Sequence, residues 1–228
     1  MKLSVVMPVF NEEHTLETIV GRVLAAHEDL ELVIVNDASR DGTAAVLERI
    51  AAREPKVRVF HHERNRGKGA ALRTGFAQVT GDIVIIQDAD LEYDPSEYPR
   101  LLEPILRDEA DVVYGSRYLG AAPRRQGWPH RLANYLLTGL SNRFTGLRLT
   151  DMETCYKVFR RARAELLVIR ENRFGVEPEL TARLARQRCR FVEVPVSYAA
   201  RNRAEGKKIR LKDALRAVYA IVRYGLAD

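Results

Sequence analysis

The 228-residue sequence has few cysteines and lacks a long apolar run. Two cysteines, Cys155 and Cys189, are too few for a disulfide framework, which is typical of a reducing compartment. Residues 3–9 are too short for the apolar core of a signal peptide. The uncharged run 132–142 is well short of the roughly 20 residues that span a bilayer. We therefore expect a cytoplasmic chain without a membrane-spanning segment.

Acidic and basic residues are distributed unevenly along the chain. Residues 1–115 have a formal net charge of −8 and residues 116–228 one of +14, although the whole chain has only +6. Thirty of the 37 basic residues are arginine, whose planar guanidinium favours bidentate contacts with phosphate. The basic half therefore predicts an anionic partner: a phosphate compound, a membrane surface or nucleic acid.

Strand-like and helix-like segments alternate through the first half of the chain. β-Branched runs predict buried strands over residues 2–9, 30–35, 57–61, 83–86 and 110–115, and amphipathic patterns predict helices over 12–26, 43–52, 70–79 and 96–107. This alternation is typical of an α/β fold with a mostly parallel sheet flanked by helices. After residue 116 we expect a loop over 117–130, helices over 132–147, 178–187 and 211–224, extended segments over 151–159 and 191–196, and a basic loop over 201–208.

Three acidic residues, Asp88, Asp90 and Glu92, directly follow the predicted strand 83–86. In open α/β sheets, ligands bind beyond the carboxyl ends of the strands. Carboxylate oxygens at such a place suit Mg²⁺ or Mn²⁺, usually with a phosphate completing the coordination. Taken alone, so short a pattern more often marks a solvated acidic turn before the next helix.

Two other predicted strands end in loops with polar residues, 10–13 and 36–39. Polar groups at successive strand ends are the arrangement that a nucleotide site needs. Asp37 is a candidate acceptor for a base or ribose, with a turn role as the alternative. Lys68 lies between two glycines at a predicted helix start, where a phosphate can bind. The pair His61 and His62 has no third ligand at metal spacing, and we expect it at the surface.

Eight segments of the chain form a recognisable series. They are MPVFNEE (7–13), VNDASRDGT (35–43), NRGKGAALRTGF (65–76), QDADLEYDP (87–95), VVYGSRY (112–118), TDMETCYKVFR (150–160), FGVEPEL (174–180) and YAARNRAEGKKI (198–209). Together, and in this order, they resemble the family-2 inverting glycosyltransferases of the GT-A fold, and most of all the polyprenyl-phosphate or dolichyl-phosphate mannosyl- and glucosyltransferases. One difference is Asn36, where many relatives have Asp.

The resemblance implies roles for individual residues. The residues expected at the donor nucleotide are Pro8, Phe10, Glu12, Asp37, Lys68, Asp88, Ala89 and Asp90. Those expected to hold Mg²⁺ or Mn²⁺ are Asp88, Asp90 and Glu92. Those expected at the acceptor phosphate are Arg117, Arg131, Arg201, Lys207 and Lys208. The expected catalytic group is Asp90, Asp151 and Arg117, with Glu177 and Glu179 on the sugar side.

The implied activity is metal-dependent transfer of a hexose, with inversion, from a GDP-mannose or UDP-glucose type of donor to a polyprenyl or dolichyl phosphate. Residues 1–228 would form one domain, with a nucleotide-sugar and metal half (1–115) and a basic acceptor half (116–228).

One alternative is a hydroxyl acceptor with Asp151 as the base. A sugar nucleotidyltransferase would need a glycine-rich loop where this chain has PVFNE (8–12). A nucleic-acid-binding module would need aromatic residues among the basic ones, and residues 198–212 contain only Tyr198. We expect no nucleic acid partner.

The predicted helices 132–147 and 211–224 are candidates for contact with a membrane surface. The first is apolar on nearly every side, and the second pairs an aliphatic face with basic residues. Such helices can lie in an anionic interface. Core or dimer packing is the alternative for the first helix. We expect peripheral attachment to the cytoplasmic membrane face, with a membrane-anchoring partner protein as a further expectation.

Overall fold

A mixed β-sheet lies at the centre of the protein. The computed structural model describes residues 1–120, 128–200 and 211–226, with the side chains of 211–213 left out. Within these residues the sheet has seven strands in the order β3-β2-β1-β4-β6-β5-β7. Only β6 runs antiparallel to its neighbours, so the predicted mostly parallel sheet is confirmed. The strands are β1 (Leu3–Val9), β2 (Leu30–Asn36), β3 (Val57–His61), β4 (Ile83–Ile86), β5 (Val112–Ser116), β6 (Lys157–Arg160) and β7 (Phe191–Pro195).

Helices cover the sheet and connect its parallel strands. A short 3-10 turn, Pro95–Glu97, precedes the fourth helix. The helices are α1 (Leu16–Ala26), α2 (Thr43–Arg53), α3 (Lys68–Phe76), α4 (Tyr98–Leu106), α5 (Trp128–Thr145), α6 (Arg161–Glu165), α7 (Val176–Arg186) and α8 (Leu211–Leu226). The strands β2 and β4 are buried along their whole length, as expected for parallel strands with both faces covered. A continuous apolar core extends from Leu3 to Ile221.

Five helices begin two to four residues away from their predicted positions. The helices α4, α5 and α7 begin at Tyr98, Trp128 and Val176 instead of residues 96, 132 and 178. The other two differ for a local reason. The first helix was expected from residue 12 but begins at Leu16, because residues 12–15 form a turn in which the Thr15 hydroxyl lies within hydrogen-bond distance of Glu12 and of the Ala89 carbonyl. The helix α3 begins at Lys68, two residues before its predicted start. It follows Gly67, whose φ of +98° lies in a region that favours glycine.

The antiparallel strand β6 places a functional segment at the carboxyl edge of the sheet. Within the predicted extended segment 151–159, the strand begins only at Lys157. Its first residues pair with Ile85 of β4 and Tyr114 of β5. Since β6 runs opposite to both neighbours, the residues before it, 150–156, lie beyond the carboxyl ends of β4 and β5.

The fully buried residues of α5 are polar, while several of its large apolar residues are exposed. Its buried residues are Asn134, Thr138 and Ser141. Trp128 and Tyr135 are 75% and 73% exposed, and Leu132 and Leu136 are exposed beside them. The helix packs against α7 and α8, and α8 in turn exposes Leu215, Val218, Tyr219, Val222 and Leu226. Among the described residues, no helix is both long enough and apolar enough to cross a membrane.

Candidate active site

The loops that follow β1 and β4 are joined by one hydroxyl. The Thr15 hydroxyl oxygen lies 2.9 Å from Glu12 Oε2 and 2.8 Å from the Ala89 carbonyl oxygen, so its one O–H bridges both acceptors. Both Glu12 and Ala89 are buried. The segment 88–92 after β4, called the acidic loop below, is therefore held against the loop that follows β1, as expected for two parts of one site. Leu91, two residues after Ala89, has a φ of 61°. Such a value is uncommon for a residue with a Cβ and occurs mostly in functional loops.

Lys68 connects the start of α3 to the acidic loop. Its Nζ lies 2.9 Å from Asp88 Oδ1 and 3.0 Å from Glu177 Oε1. Burial alone would lower the pKa of Lys68, but Asp88 and Glu177 hold that pKa well above its usual value. The preceding Gly67 is required, because a Cβ there would lie 2.4 Å from the Asn172 carbonyl oxygen. Lys68 is thus a fixed cation between two carboxylates.

Asp37 is buried and organises the loop that leads to Lys68. Its Oδ1 accepts the backbone N–H of Arg66 at 2.9 Å, and its Oδ2 accepts that of Gly67 at 2.6 Å. His62 Nδ1 lies 2.7 Å from Oδ1, and His62 Nε2 lies 2.9 Å from the Thr74 hydroxyl. The expectation that His62 lies at the surface is wrong, since its side chain is 6% exposed. That contact joins residues 25 positions apart, and the sequence contains no signal for it.

Arg117 and Asp151 form a buried ion pair at the end of β5. The Arg117 Nε and Nη2 atoms each lie 2.7 Å from an Asp151 oxygen, and the Arg117 backbone N–H donates at 3.0 Å. Asp151 is fully buried and the Arg117 side chain is 12% exposed. Burial alone would lower the pKa of Arg117, but Tyr93 and Asp151 keep it well above the usual value. Two of the three predicted catalytic residues are thus brought together, and Arg117 engages both Asp151 oxygens.

Tyr198 links the acidic loop to this ion pair. Its hydroxyl donates to Glu92 Oε2 at 2.7 Å, and the Arg117 guanidinium lies 5.1 Å from the centre of its ring. The Glu92 carbonyl also accepts the backbone N–H of Ala199 at 2.9 Å. The acidic loop and Arg117 are therefore held in a fixed relation just before the basic segment 201–208.

Comparison with known proteins identifies the family at this point. A family model described as glycosyl transferase family 2 matches residues 4–167. The chain belongs to glycosyltransferase family 2. The undecaprenyl-phosphate mannosyltransferase of Micrococcus luteus is 31% identical over 237 residues, which cover 100% of this chain and 95% of that protein. The predicted family and the predicted enzyme class, a glycosyltransferase, are confirmed.

Other relatives are longer than this chain. The undecaprenyl-phosphate 4-deoxy-4-formamido-L-arabinose transferase of Edwardsiella ictaluri is 35% identical over 211 residues, which cover 90% of this chain but 62% of that protein. This glycosyltransferase thus spans about three fifths of the length of that relative. Glucosyl-3-phosphoglycerate synthase of Mycobacterium tuberculosis, solved with Mn²⁺, UDP and glucosyl-3-phosphoglycerate, has a TM-score of 0.75 at 22% identity, covering 100% of this chain and 81% of that chain. The predicted GT-A fold is confirmed by this likeness.

The described residues of the glycosyltransferase contain no group of three His, Cys, Asp or Glu side chains arranged to hold a metal ion. Asp88 is paired with Lys68, Asp90 Oδ1 accepts the Glu92 backbone N–H at 3.2 Å, and Glu92 accepts from Tyr198. Mg²⁺ is usually bound by one or two carboxylates, with substrate phosphates and waters completing its octahedron. The acidic loop fits an ion shared with a diphosphate better than a closed protein site.

A second buried cation, Lys157, shares the Glu177 carboxylate with Lys68 in the glycosyltransferase. Its ammonium donates to Glu177 and to the Thr154 carbonyl. Glu153 precedes Thr154, and its Oε1 is shielded from solvent without a hydrogen-bond partner among the described residues. Burial, with a contribution from Glu177, raises the pKa of Glu153 to about 7. Glu153 lies inside the matching segment TDMETCYKVFR, but the sequence suggested no role for it.

The remaining predicted site residues are spread more widely. Pro8 lies within β1 and Phe10 directly follows that strand, both partly buried. Glu179 accepts the backbone N–H groups of Arg170 and Glu171, so it shapes the turn before α7. Arg131 is exposed in the first turn of α5. Arg201, Lys207 and Lys208 lie outside the described residues.

Proposed function

We propose that this glycosyltransferase moves a hexose from a nucleoside-diphosphate sugar to a polyprenyl phosphate, with inversion at the anomeric carbon. The observation that supports this most directly is the placement of two unlike sites on one sheet edge. The acidic loop with Lys68 follows β4, and the Arg117–Asp151 pair follows β5. These strands are separated only by β6, so their axes are about 10 Å apart. Strand ends at that spacing leave room for a sugar ring between two phosphate groups.

The donor diphosphate belongs at the acidic loop in this proposal. Asp88 and Asp90 are the residues that would hold Mg²⁺ or Mn²⁺, which when bound stabilises the charge that develops on the departing diphosphate. Lys68 supplies a fixed positive charge to the same group. Pro8, Phe10, Glu12 and Asp37 line the two neighbouring strand ends, where the nucleoside would lie. For Asp37 we propose an indirect role, since its oxygens bind backbone N–H groups of the loop before Lys68.

The acceptor phosphate belongs beside Arg117. A phosphate monoester has a second pKa of about 6, so it is already a nucleophile at neutral pH and needs no base. Its oxygen attacks the anomeric carbon while the bond to the diphosphate oxygen breaks, and the nucleotide leaves with the electron pair. Asp151 is fully buried and accepts three hydrogen bonds from Arg117. This geometry favours a counter-charge role for Asp151 over the alternative role of a base for a hydroxyl acceptor.

A membrane surface is the proposed location of the acceptor. The exposed apolar residues of α5 and α8 lie on two helices that pack together. Trp128 and Tyr135 resemble interfacial anchors, and Arg131 and Arg223 supply positive charge. We propose peripheral attachment to anionic lipid on the cytoplasmic face, with or without an anchoring protein. Binding to vesicles of anionic lipid at low salt tests this, and no binding would remove the proposal.

A thermal-shift series tests the donor proposal. UDP, GDP, UDP-glucose and GDP-mannose are each added with Mn²⁺ and with chelator. A ligand at 100 times its dissociation constant stabilises the folded state by about 2.7 kcal/mol. We expect a metal-dependent shift with one base and not the other, and transfer of the bound sugar to undecaprenyl phosphate. No shift with any nucleotide in the presence of metal would refute the donor site. Asp111→Asn, which alters a carboxylate at the opposite sheet edge, is the control.

A further inference from the structure

We propose that the Glu153 carboxylate binds the sugar that is transferred, by accepting a hydrogen bond from one of its hydroxyl or amide N–H groups. Glu153 would thereby help to select the donor sugar. This inference rests on the proposed function, because it places a sugar between the acidic loop and Arg117.

The path of the chain places Glu153 between the two phosphate sites. Two residues before it, Asp151 pairs with Arg117 at the acceptor side. Four residues after it, Lys157 pairs with Glu177, which shares Lys68 with Asp88 at the donor side. The segment 151–156 precedes the antiparallel strand β6 and so crosses the gap between the ends of β4 and β5. Glu153 lies near the middle of that crossing.

The bonding of Glu153 differs from that of the neighbouring buried carboxylates. Asp151 is bonded to Arg117, and Glu177 is bonded to Lys68 and Lys157. In the part of the chain that the structure describes, Glu153 Oε1 is shielded from solvent and no group donates to it. Buried polar atoms in folded proteins are nearly always hydrogen-bonded. A shielded carboxylate oxygen without a partner is therefore expected to receive one from a ligand.

The nearby cations are already committed to other carboxylates. The Lys157 ammonium donates to Glu177 and to the Thr154 carbonyl, and Arg117 is bidentate to Asp151. The ionised form of Glu153 only accepts hydrogen bonds, so a ligand of that form must be a donor. Sugar hydroxyl and amide N–H groups are such donors, whereas phosphate oxygens are not. A sugar hydroxyl can also accept from the protonated form, which the pKa of about 7 leaves populated at neutral pH, so a sugar suits both forms and a phosphate only one.

Two substitutions at Glu153 separate a sugar-binding role from a structural one. Glu153→Leu removes the acceptor, and Glu153→Gln keeps an uncharged one. We expect both variants to bind UDP or GDP with Mn²⁺ as the wild type does. Affinity for the corresponding nucleotide sugar should fall about 10- to 100-fold in Glu153→Leu and less in Glu153→Gln, because hydrogen bonds to charged groups are the stronger ones. The melting temperature of the ligand-free variants should be unchanged or higher, since one oxygen of the Glu153 carboxylate is shielded from solvent without a partner among the described residues.

The matched control is Glu31→Gln, which alters a buried carboxylate that is fully bonded at the other edge of the sheet. Glu31 accepts from Ser4, Thr80 and Arg58. This control should lower the melting temperature and leave the gain in affinity from nucleotide to nucleotide sugar unchanged.

Equal gains in affinity from nucleotide to nucleotide sugar in the wild type and in Glu153→Leu would overturn the inference. So would a lower melting temperature in both Glu153 variants without any loss of sugar affinity. Deoxy-sugar donors give a second measure: the wild type should disfavour the analogue that lacks the contacted hydroxyl, and Glu153→Leu should not. Failure of the wild type to bind UDP or GDP at all would instead refute the proposed donor site, which distinguishes the two failures.

Discussion

The substitution Asp151→Asn distinguishes a counter-charge from a catalytic base. It removes the negative charge of Asp151 but keeps its shape and one acceptor oxygen. Removing one partner of a buried ion pair costs about 3–5 kcal/mol, because the other charge is left uncompensated. The Arg117 side chain is 12% exposed and keeps its contact with the Tyr198 ring. We therefore expect a loss at the low end of that range, about 3 kcal/mol of unfolding free energy.

The expected loss is measured by denaturant unfolding and by melting temperature. For a chain of this size it corresponds to a fall of about 6–12 °C. A phosphate acceptor should restore part of the loss, because its anion replaces the missing counter-charge of Arg117. Turnover with a polyprenyl phosphate, assayed well below the melting temperature, should stay within about tenfold of the wild type, whereas loss of a general base costs about 10²–10⁴-fold.

The reasoning would be refuted by a fall in kcat of more than about 100-fold together with the loss of one limb of the pH–rate profile. Asp111→Asn is the matched control, since Asp111 also pairs with an arginine, Arg190, but at the opposite edge of the sheet. It should lower stability to some extent and leave kcat unchanged. A similar loss of kcat in both variants would mean that destabilisation, and not the site, explains the effect of Asp151→Asn.

Three further predictions follow from buried contacts. Gly67→Ala forces a Cβ to within 2.4 Å of the Asn172 carbonyl oxygen at a φ of +98°, so it should lower the melting temperature and weaken nucleotide binding by calorimetry. Asp37→Ala frees the backbone N–H groups of Arg66 and Gly67 and should weaken nucleotide binding while the far-ultraviolet circular dichroism is retained. The pKa of Glu31 is lowered to about 2: burial alone would raise it, but hydrogen bonds from Ser4 and Thr80 and the charge of Arg58 outweigh burial. Its stabilisation, at most about 3 kcal/mol, is therefore complete above pH 4.5 and disappears as the pH falls through 2, so acid titrations of the wild type and Glu31→Gln should converge there.

The first half of the fold was predictable because the sequences of its strands have a clear pattern. The runs that became β1, β2 and β4 are apolar and β-branched, which is what burial on both faces requires. Residues placed after such strands, including Asp88 and Lys68, could then be located at one sheet edge. Their mutual ion pair could not, since it joins residues 20 positions apart through the folding of α3 against the sheet.

The second half of the fold was harder to predict, because its sequence patterns are short or are the reverse of the usual ones. The strand β6 has only four residues, and its buried Lys157 is tolerated because Glu177 faces it. No periodicity in the sequence indicates such a pairing or the antiparallel direction of the strand. In α5 the fully buried residues are polar and several large apolar residues are exposed, while amphipathic patterns are normally interpreted with the apolar face inside. That rule presumes water outside, and it would not apply to α5 under the proposed attachment to a lipid surface.

Each cation in the described site is already paired with a carboxylate. A phosphate acceptor, as proposed here, would therefore need its counter-charge from other residues. Lys68 and Lys157 are matched by Asp88 and Glu177, and Arg117 is matched by Asp151. A phosphate with nearly two negative charges therefore needs positive charge from elsewhere in the basic half.

The sequence has Lys207 and Lys208 in the basic segment after Tyr198. One ion pair between solvent-exposed groups typically contributes at most about 1 kcal/mol. Substituting both lysines with Gln should therefore raise the KM for the phosphate acceptor up to about 30-fold, since about 1.4 kcal/mol is tenfold. Binding of the nucleotide sugar, measured by calorimetry without acceptor, should not change. If both fell together, the basic loop would serve the donor, and the counter-charge for the acceptor would have to come from Arg131 and its neighbours on α5.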